Sequence, residues 1–297
     1  MMQINLLGLS GKKQAGKDTA ANYIVGLFLK ALRVCENFEI TDKGKLLVHD
    51  LFGEEEQKGI LDMSSKHPDF LSFAKDHIFP FVRVYSFADL LKEEICIKTL
   101  GLTREQCYGT DEQKNSLTNL YWENMPGIIC DKNCDLYEQV TEARKDPGSY
   151  PSIYSTMTTH EPGQMTAREV MQFVGTEIFR KMYAGVWVEA LLRRIKKESP
   201  MLAIVADVRF LDELDSIETA AEPLTGKTVR LARDIHKGKD QHPSETALDD
   251  LTPDDFSCYI DNQEMSIEEQ NQKIKEALEE WKWLPQEIPN EVLESIV

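Results

Sequence analysis

The sequence predicts an α/β fold, in which a mostly parallel sheet is flanked by helices. The first observation lies at the N-terminus, where the apolar residues 4–9 lead into a glycine-bounded loop and then a segment with helical character. The second is the continuous apolar run 202–206, typical of a central parallel strand that is buried on both faces. Further predicted strands at 82–87, 228–232 and 256–262 alternate with helical segments, which is the pattern of an α/β domain.

The N-terminal loop has the spacing of a phosphate-binding P-loop. Gly11, Gly16 and Lys17 form the pattern G-x-x-x-x-G-K between a predicted strand and a predicted helix. The glycines let backbone N–H groups point at a phosphate chain, and the helix N-terminus and the lysine add positive charge. Asp18 stands where a serine or threonine usually binds Mg²⁺, and the hydroxyl follows at Thr19. A carboxylate is a stronger Mg²⁺ ligand, so Asp18 is the predicted metal residue, either directly or through water.

Length and charge limit the classes of function. A chain of 297 residues is long enough for one large α/β domain with insertions, or for two modest domains. The net charge of −17 argues against sequence-independent binding of DNA or RNA and disfavours an anionic membrane surface. A nucleotide ligand remains compatible, because a local basic cluster can dominate a pocket. We expect no membrane-spanning segment, and we expect the N-terminus to be a core strand rather than a signal peptide.

The six cysteines are scattered along the chain without a disulfide framework. We therefore interpret them as reduced thiols of a cytosolic protein. Cys130 and Cys134 are the only close pair, and with His160 or Cys107 they offer a zinc site as an alternative. Their spacing is not the usual C-x-x-C of zinc sites.

The remaining elements are read from caps, periodicity and breaker residues. Residues 36–80 are predicted to form surface turns and short elements, with a helix at 69–78. Residues 121–164 contain several Pro and Gly pairs and are predicted to be a loop-rich insertion. Thr166 with Glu169 has the spacing of a capping box at the start of a helix. A second helix is expected at 187–198, a last long helix after Ser266, and an appended tail at 285–297.

A second set of charged residues follows the predicted strand 202–206. Asp207 comes at the carboxyl end of this strand, where ligands bind in open α/β sheets. Arg209 and Glu213 follow, so charges of both signs reach one edge of the sheet. Asp207 can orient Mg²⁺ or a ligand beside it, and Arg209 can bridge phosphates. The alternative is a surface salt bridge.

The helix that begins at Thr166 carries a polar stripe. Arg168, Gln172 and Thr176 are four residues apart, which places them along one side of an α-helix. An arginine, a glutamine and a threonine beside Gly175 suit the binding of a base, a sugar and a phosphate. The alternative is an ordinary solvated helix face.

Six segments together resemble the deoxynucleoside monophosphate kinases of tailed bacteriophages: GKKQAGKDT, SFADLLKEE, TAREVMQFVGTEIFR, IVADVRFLDELDSI, HPSET and YIDNQEMSIEEQ. The resemblance covers most of 4–35, 82–120 and 165–282, and it does not cover 36–80, 121–164 or the tail. It implies a P-loop kinase with an adenylate-kinase-like three-layer fold. Residues 1–297 would form a single domain, with insertions at about 36–80 and 121–164 and a lid at about 233–250.

The resemblance also implies roles for individual residues. Those that would bind ATP and Mg²⁺ are Lys13, Ala15, Gly16, Lys17, Asp18 and Thr19; the departure at Asp18 also occurs in this family. The catalytic cations would be Lys17, Arg168 and Arg209. Those around the acceptor nucleotide would be Lys92, Gly175, Thr176, Arg180, Trp187, Asp207 and Glu213, although a core position for Trp187 is an alternative. The mobile lid would contain Arg230, Arg233, His236, Lys237 and Lys239.

The implied reaction is ATP + dNMP → ADP + dNDP with Mg²⁺, in the supply of DNA precursors. The expected compartment is the cytoplasm, that of the host if the protein is viral, and the expected assembly is a homodimer. One alternative is a P-loop kinase for another small phosphorylated acceptor, such as phosphomevalonate. A second is a nucleotide-binding regulatory or assembly ATPase. A virion or scaffold protein with an inactive loop is disfavoured, because Lys17, Asp207 and Arg209 are all present.

Overall fold

The computed structural model describes residues 3–51, 57–63, 65, 67–146, 148, 151–235 and 246–285. Contacts along the backbone divide the chain into two compact units. The first combines Met1–Ala88 with Trp187–Val297, and the second is Asp89–Val186. That the whole chain forms a single domain stays a prediction.

The first unit is built on a five-stranded sheet in which every pair is parallel. Its strands, in spatial order, are β12 (Cys258–Ile260), β11 (Leu224–Leu231), β1 (Ile4–Gly11), β10 (Leu202–Val208) and β5 (Val82–Tyr85). The N-terminal strand therefore lies at the centre, with the apolar run 202–206 beside it. The predictions of an α/β fold, a mostly parallel sheet and an internal strand at 202–206 are confirmed.

Helices cover both faces of this sheet. They are α1 (Lys17–Ala31), α2 (Pro68–His77), α8 (Val186–Glu198), α9 (Leu211–Glu218) and α10 (Ile267–Glu280). Successive residues of β1 face opposite sides. Leu7 belongs to a core cluster with Phe28 of α1 and Ile274 of α10, whereas Gly8 lies against Ile217 of α9. A sheet between two helical layers is compatible with the three-layer fold.

Residues 36–80 are more regular than predicted. They form an antiparallel three-stranded sheet of β2 (Cys35–Ile40), β3 (Leu46–Leu51) and β4 (Lys58–Leu61), preceding α2. Leu46 and Val48 are buried in the core cluster of the first unit, while Glu36 is exposed. Exposed charged residues interrupt the apolar alternation that indicates a strand, so the sequence predicts turns here. The helix predicted at 69–78 is confirmed as α2.

The second unit has its own small core, which includes Cys96, Met165 and Val170. Its helices are α4 (Arg104–Tyr108), α5 (Asp111–Lys114), α6 (Asp135–Lys145) and α7 (Ala167–Gln172). Two short strand pairs accompany them: β6 (Leu117–Tyr121) with β9 (Gln164–Thr166), and β7 (Ile128–Ile129) with β8 (Thr158–Thr159). The short helix α3 (Phe87–Leu90) lies where the chain passes from the first unit to the second.

Helix α6 is a regular element inside 121–164, the segment predicted to be loop-rich. It runs for 11 residues and buries Val140 and Ala143. Its N-cap is Cys134, whose sulfur accepts a hydrogen bond from the Tyr137 N–H at 3.3 Å. Cysteine is not among the preferred N-cap residues, so the start of this helix carried no recognisable signal.

Two segments predicted as ordinary helix are π-helices. Helix α3 continues as the π-helix Leu91–Ile97, and α7 continues as the π-helix Phe173–Arg180. The capping box that starts α7 is confirmed, since Thr166 and Glu169 bond each other's backbone N–H. Hydrogen bonds in a π-helix join residues five apart. The predicted four-residue stripe through Arg168 and Gln172 therefore does not continue to Thr176.

Several other element predictions are confirmed. The helix expected at 187–198 is α8, and Ser266 caps α10 through the Glu269 N–H. The strand expected at 228–232 is β11, which begins earlier, at Leu224. Arg230, predicted as part of the lid, lies instead in β11 of the central sheet. His236, Lys237, Lys239, the segment 242–245 and all but the first residue of the tail lie outside the described residues, so the rest of the lid stays a prediction.

The cysteines give a first testable consequence. All six are free thiols. Burial raises the pKa of Cys35 to about 11 and that of Cys96 to about 12, whereas Cys134 is half-buried at a helix end. Because only the thiolate reacts, we expect iodoacetamide at pH 8 to alkylate Cys134 while sparing Cys35 and Cys96 until the protein unfolds. Peptide mass spectrometry measures this, and equal alkylation of these three in the native protein would contradict it.

Candidate functional site

Three chain segments meet at the carboxyl ends of the parallel strands. The register pairs Ser10 of β1 with Val208 of β10, and Gly11 of β1 with Leu231 of β11. The loop after β1, the charged residues around Val208 and the segment after Leu231 therefore leave the same edge of the sheet. This is the edge at which open α/β sheets bind ligands.

The loop between β1 and α1 contains three residues with positive φ. Gly11 has φ 153°, Gln14 has φ 63° and Gly16 has φ 100°. Gly16 directly precedes the first residue of α1. A Cβ on Gly16 would lie 2.7 Å from the Gln270 side chain, so both conformation and space require glycine there. The strand, loop and helix order predicted for 4–31 is confirmed, and binding of phosphate stays a proposal.

Lys17 lies back over the loop that precedes it. Its Nζ donates to the Gly11 carbonyl at 2.6 Å and to the Lys12 carbonyl at 2.8 Å. Only 9% of the residue is exposed. The ammonium group thus bonds neutral carbonyl oxygens of the loop. An anionic oxygen would form a stronger hydrogen bond with it than either carbonyl does.

Lys12 has partners that the sequence did not reveal. Its Nζ lies 3.0 Å from Asp234 and 3.1 Å from Asp249. Burial lowers the pKa of Lys12, but the two carboxylates outweigh it, and the net pKa is raised. Lys12 is therefore charged at neutral pH, and it ties the loop to the chain that follows β11. Its neighbour Lys13 is exposed.

Asp18, the predicted metal residue, and Thr19, predicted with it to bind ATP and Mg²⁺, differ in environment. Asp18 is exposed in the first turn of α1. Thr19 is half-buried against Gly44, in the turn between β2 and β3, and the Asn22 amide donates to the Gly44 carbonyl at 2.8 Å. An exposed carboxylate beside the loop fits Mg²⁺, which takes one or two protein oxygens when phosphates supply others.

Asp207 binds the start of the helix that follows β5. One of its carboxylate oxygens accepts from the Phe87 N–H at 2.9 Å, and the other accepts from the Ser86 hydroxyl at 2.5 Å and from the Ala88 N–H at 3.4 Å. Asp207, which lies in β10, therefore acts as an N-cap for α3. It was predicted as an acceptor-binding residue, and that role stays a prediction.

Glu213 is buried and acts on the backbone beside Arg209. It is 2% exposed, and its Oε2 accepts from the Arg209 N–H at 2.8 Å and from the Phe210 N–H at 3.2 Å. The carboxylate fixes the turn between β10 and α9, from which the Arg209 side chain extends. Glu213 is therefore placed to position Arg209, a link that spacing alone did not reveal.

Trp187 lies in the first turn of α8 and is 7% exposed. That burial agrees with the packing alternative for this residue. Of the predicted residues, the first unit contains the loop residues Lys13–Thr19, Trp187, Asp207, Arg209 and Glu213.

The other predicted residues belong to the second unit. Lys92 lies over the Tyr108 ring, with its Nζ 4.7 Å from the ring centre. Arg168 donates to Asp111 at 2.7 Å. The three on the second π-helix are Gly175, buried against Leu91, Thr176, which is exposed, and Arg180, which is half-buried.

Within the described residues, no group of three or more His, Cys, Asp or Glu side chains could hold a metal ion. The zinc alternative at Cys130 and Cys134 is thus not supported, and His160 instead stacks on Trp122 at 3.8 Å. Across the same ranges, no helix has both the length and the apolar character needed to cross a bilayer.

Comparison with models of known protein families gave no match, and no curated protein is significantly similar in sequence.

Proposed function

We propose that the protein is a phosphotransferase, which transfers the γ-phosphoryl group of ATP to a deoxynucleoside monophosphate in the supply of DNA precursors. The observation that carries this proposal is the loop 11–16, whose left-handed residues and Lys17 lie at the sheet edge from which Arg209 also extends. A protein that only binds a nucleotide needs the loop and no further cation. Transfer of a phosphoryl group needs a second cation to stabilise the transferring group, and Arg209, which follows the neighbouring strand, is proposed for this role.

In this proposal, the donor phosphates lie on the N–H groups of the loop and the N-terminus of α1. Lys17 exchanges the Gly11 and Lys12 carbonyl oxygens for phosphate oxygens. Lys13, Ala15 and Gly16 complete the loop. Asp18 and Thr19 would hold Mg²⁺, which supplies neutralisation of the phosphate charge when bound.

Transfer itself requires positioning and charge stabilisation, without a covalent intermediate. An oxygen of the acceptor phosphate attacks the γ-phosphorus in line with the leaving oxygen. Lys17 and Arg209 stabilise the negative charge that spreads over the transferring group, and Arg168 is the third catalytic cation that the resemblance implies. Glu213 contributes by fixing the backbone at Arg209.

The acceptor-site residues of the proposal remain the predicted ones: Lys92, Gly175, Thr176, Arg180, Trp187, Asp207 and Glu213. Within this set the lysine and arginine are suited to the acceptor phosphate. Glu213 and Asp207 would act through the backbone groups that they bind. A cytoplasmic location and a homodimer remain part of the proposal, and a nucleic-acid partner is disfavoured by the net charge of −17.

An acceptor screen tests the proposal. The protein is incubated with ATP and Mg²⁺, and ADP release is followed with dGMP, dTMP, dAMP, dCMP, modified pyrimidine nucleotides or phosphomevalonate. We expect ADP release that depends on at least one deoxynucleoside monophosphate. Release that depends only on phosphomevalonate would favour the other small-acceptor kinase, and release without any acceptor would favour a regulatory ATPase.

A further inference from the structure

A buried asparagine connects the loop to the last strand of the sheet. Asn262 follows β12 and has no exposed surface. Its Nδ2 donates to the Ala15 carbonyl at 2.8 Å and to Gln270 Oε1 at 2.6 Å, while its Oδ1 accepts from the Arg233 N–H at 2.8 Å. Two acceptors on one side and a donor on the other fix the orientation of this amide.

Gln270 supports the same part of the loop from α10. It is 3% exposed, and its Oε1 would lie 2.7 Å from a Cβ on Gly16. The glutamine therefore packs directly against the Gly16 backbone. The last two loop residues, Ala15 and Gly16, are held from outside the loop by Asn262 and Gln270.

The bond from Asn262 also orients the Gly16 N–H. The C=O and N–H of a trans peptide such as Ala15–Gly16 point in opposite directions. Because Asn262 binds the Ala15 oxygen, the Gly16 N–H of the same peptide is turned away from Asn262. Gly16 adopts its left-handed backbone without strain, and the contacts of the two amides with Ala15 and Gly16 fix the orientation of the peptide between them.

We propose that Asn262 and Gln270 are positioning residues, which set the Gly16 N–H as a donor to the phosphate chain of the nucleotide. This inference rests on the proposed function, because it requires that the loop binds phosphate. Neither residue belongs to the set predicted from the P-loop pattern. They act through the Ala15–Gly16 peptide and need not touch the nucleotide.

Asn262→Asp tests this with little change of shape. The carboxylate still accepts from the Arg233 N–H but can no longer donate to Ala15 or Gln270. We expect dissociation constants for ATP with Mg²⁺ and for inorganic tripolyphosphate with Mg²⁺ to rise about tenfold. Both ligands share the phosphate chain and only ATP has a base, so equal rises would locate the effect at the phosphates.

Gln272→Glu is the matched control, since it makes the same charge change on the exposed side of α10. Its affinities are expected to equal those of the wild type. Thermal unfolding without ligand separates stability from binding, because a purely structural role lowers the midpoint and leaves the affinities of the folded protein unchanged.

If Asn262→Asp does not fold, Gln270→Ala decides, because it removes the support at Gly16 and leaves the bond from Asn262 to Ala15. We expect severalfold weaker binding of both ligands. A folded variant at either position with wild-type affinity for tripolyphosphate overturns the inference alone. A wild-type protein that binds neither ligand overturns the proposed function and this inference with it.

Discussion

Replacing Lys17 with alanine is expected to reduce phosphoryl transfer by several orders of magnitude while the protein stays folded. The ammonium group lies on the loop backbone, at 2.6 Å from the Gly11 oxygen and 2.8 Å from the Lys12 oxygen. A thousandfold loss corresponds to about 4 kcal/mol of transition-state stabilisation, within the range that a cation on a transferring phosphoryl group supplies. Alanine suits the first turn of a helix, so α1 is expected to form. The measurement is the steady-state rate of ADP formation, with circular dichroism for the fold.

Lys30→Ala is the control for this experiment. It removes the same charge from the exposed end of α1, where the Lys30 Nζ donates to the Asn37 side chain of β2 at 3.0 Å. Its turnover is expected to match that of the wild type. A folded Lys17→Ala protein with near-normal turnover would remove the basis for assigning a phosphotransferase.

Replacing Asp207 with alanine is expected to lower the free energy of unfolding by about 2–4 kcal/mol, because a charged N-cap and three hydrogen bonds are lost. The donors left without this carboxylate are the Ser86 hydroxyl and the N–H groups of Phe87 and Ala88. Asparagine keeps an acceptor for the Phe87 N–H, so Asp207→Asn is expected to cost about half as much. Urea unfolding followed by fluorescence measures both.

Asp254→Ala serves as the matched control, since it removes an exposed aspartate from the same unit. Its stability is expected to stay within about 0.5 kcal/mol of the wild type. An Asp207→Ala protein of unchanged stability, with a raised KM for the acceptor, would contradict the capping role and support direct contact with the acceptor.

The sequence predicted the parts of the site that depend on local pattern. The loop from Gly11 to Lys17 is recognisable because its glycines, its lysine and the flanking strand and helix are contiguous. The strand 202–206 is recognisable because burial on both faces demands an unbroken apolar run. Thr166 and Ser266 could be assigned as caps because the capping box uses residues three apart.

Features that depend on distant residues could not be predicted in this way. The partners of Lys12 lie more than 200 residues further along the chain, and so does Asn262, whose bond to Ala15 spans 247 residues. The roles of Asp207 and Glu213 as backbone acceptors depend on three-dimensional proximity, although their charge and place at the sheet edge were predicted. The π-helices have no sequence pattern that distinguishes them from α-helix over so few residues.

The most direct test of the account follows the γ-phosphoryl group itself. Wild-type protein is incubated with Mg²⁺, ATP labelled at the γ-phosphate and each deoxynucleoside monophosphate, and the products are separated. We predict that the label appears in a deoxynucleoside diphosphate and that Lys17→Ala abolishes this transfer. Label that remains in ATP with every acceptor, or that appears only as inorganic phosphate, would contradict the assignment of residues 11–17 and Arg209 to phosphoryl transfer.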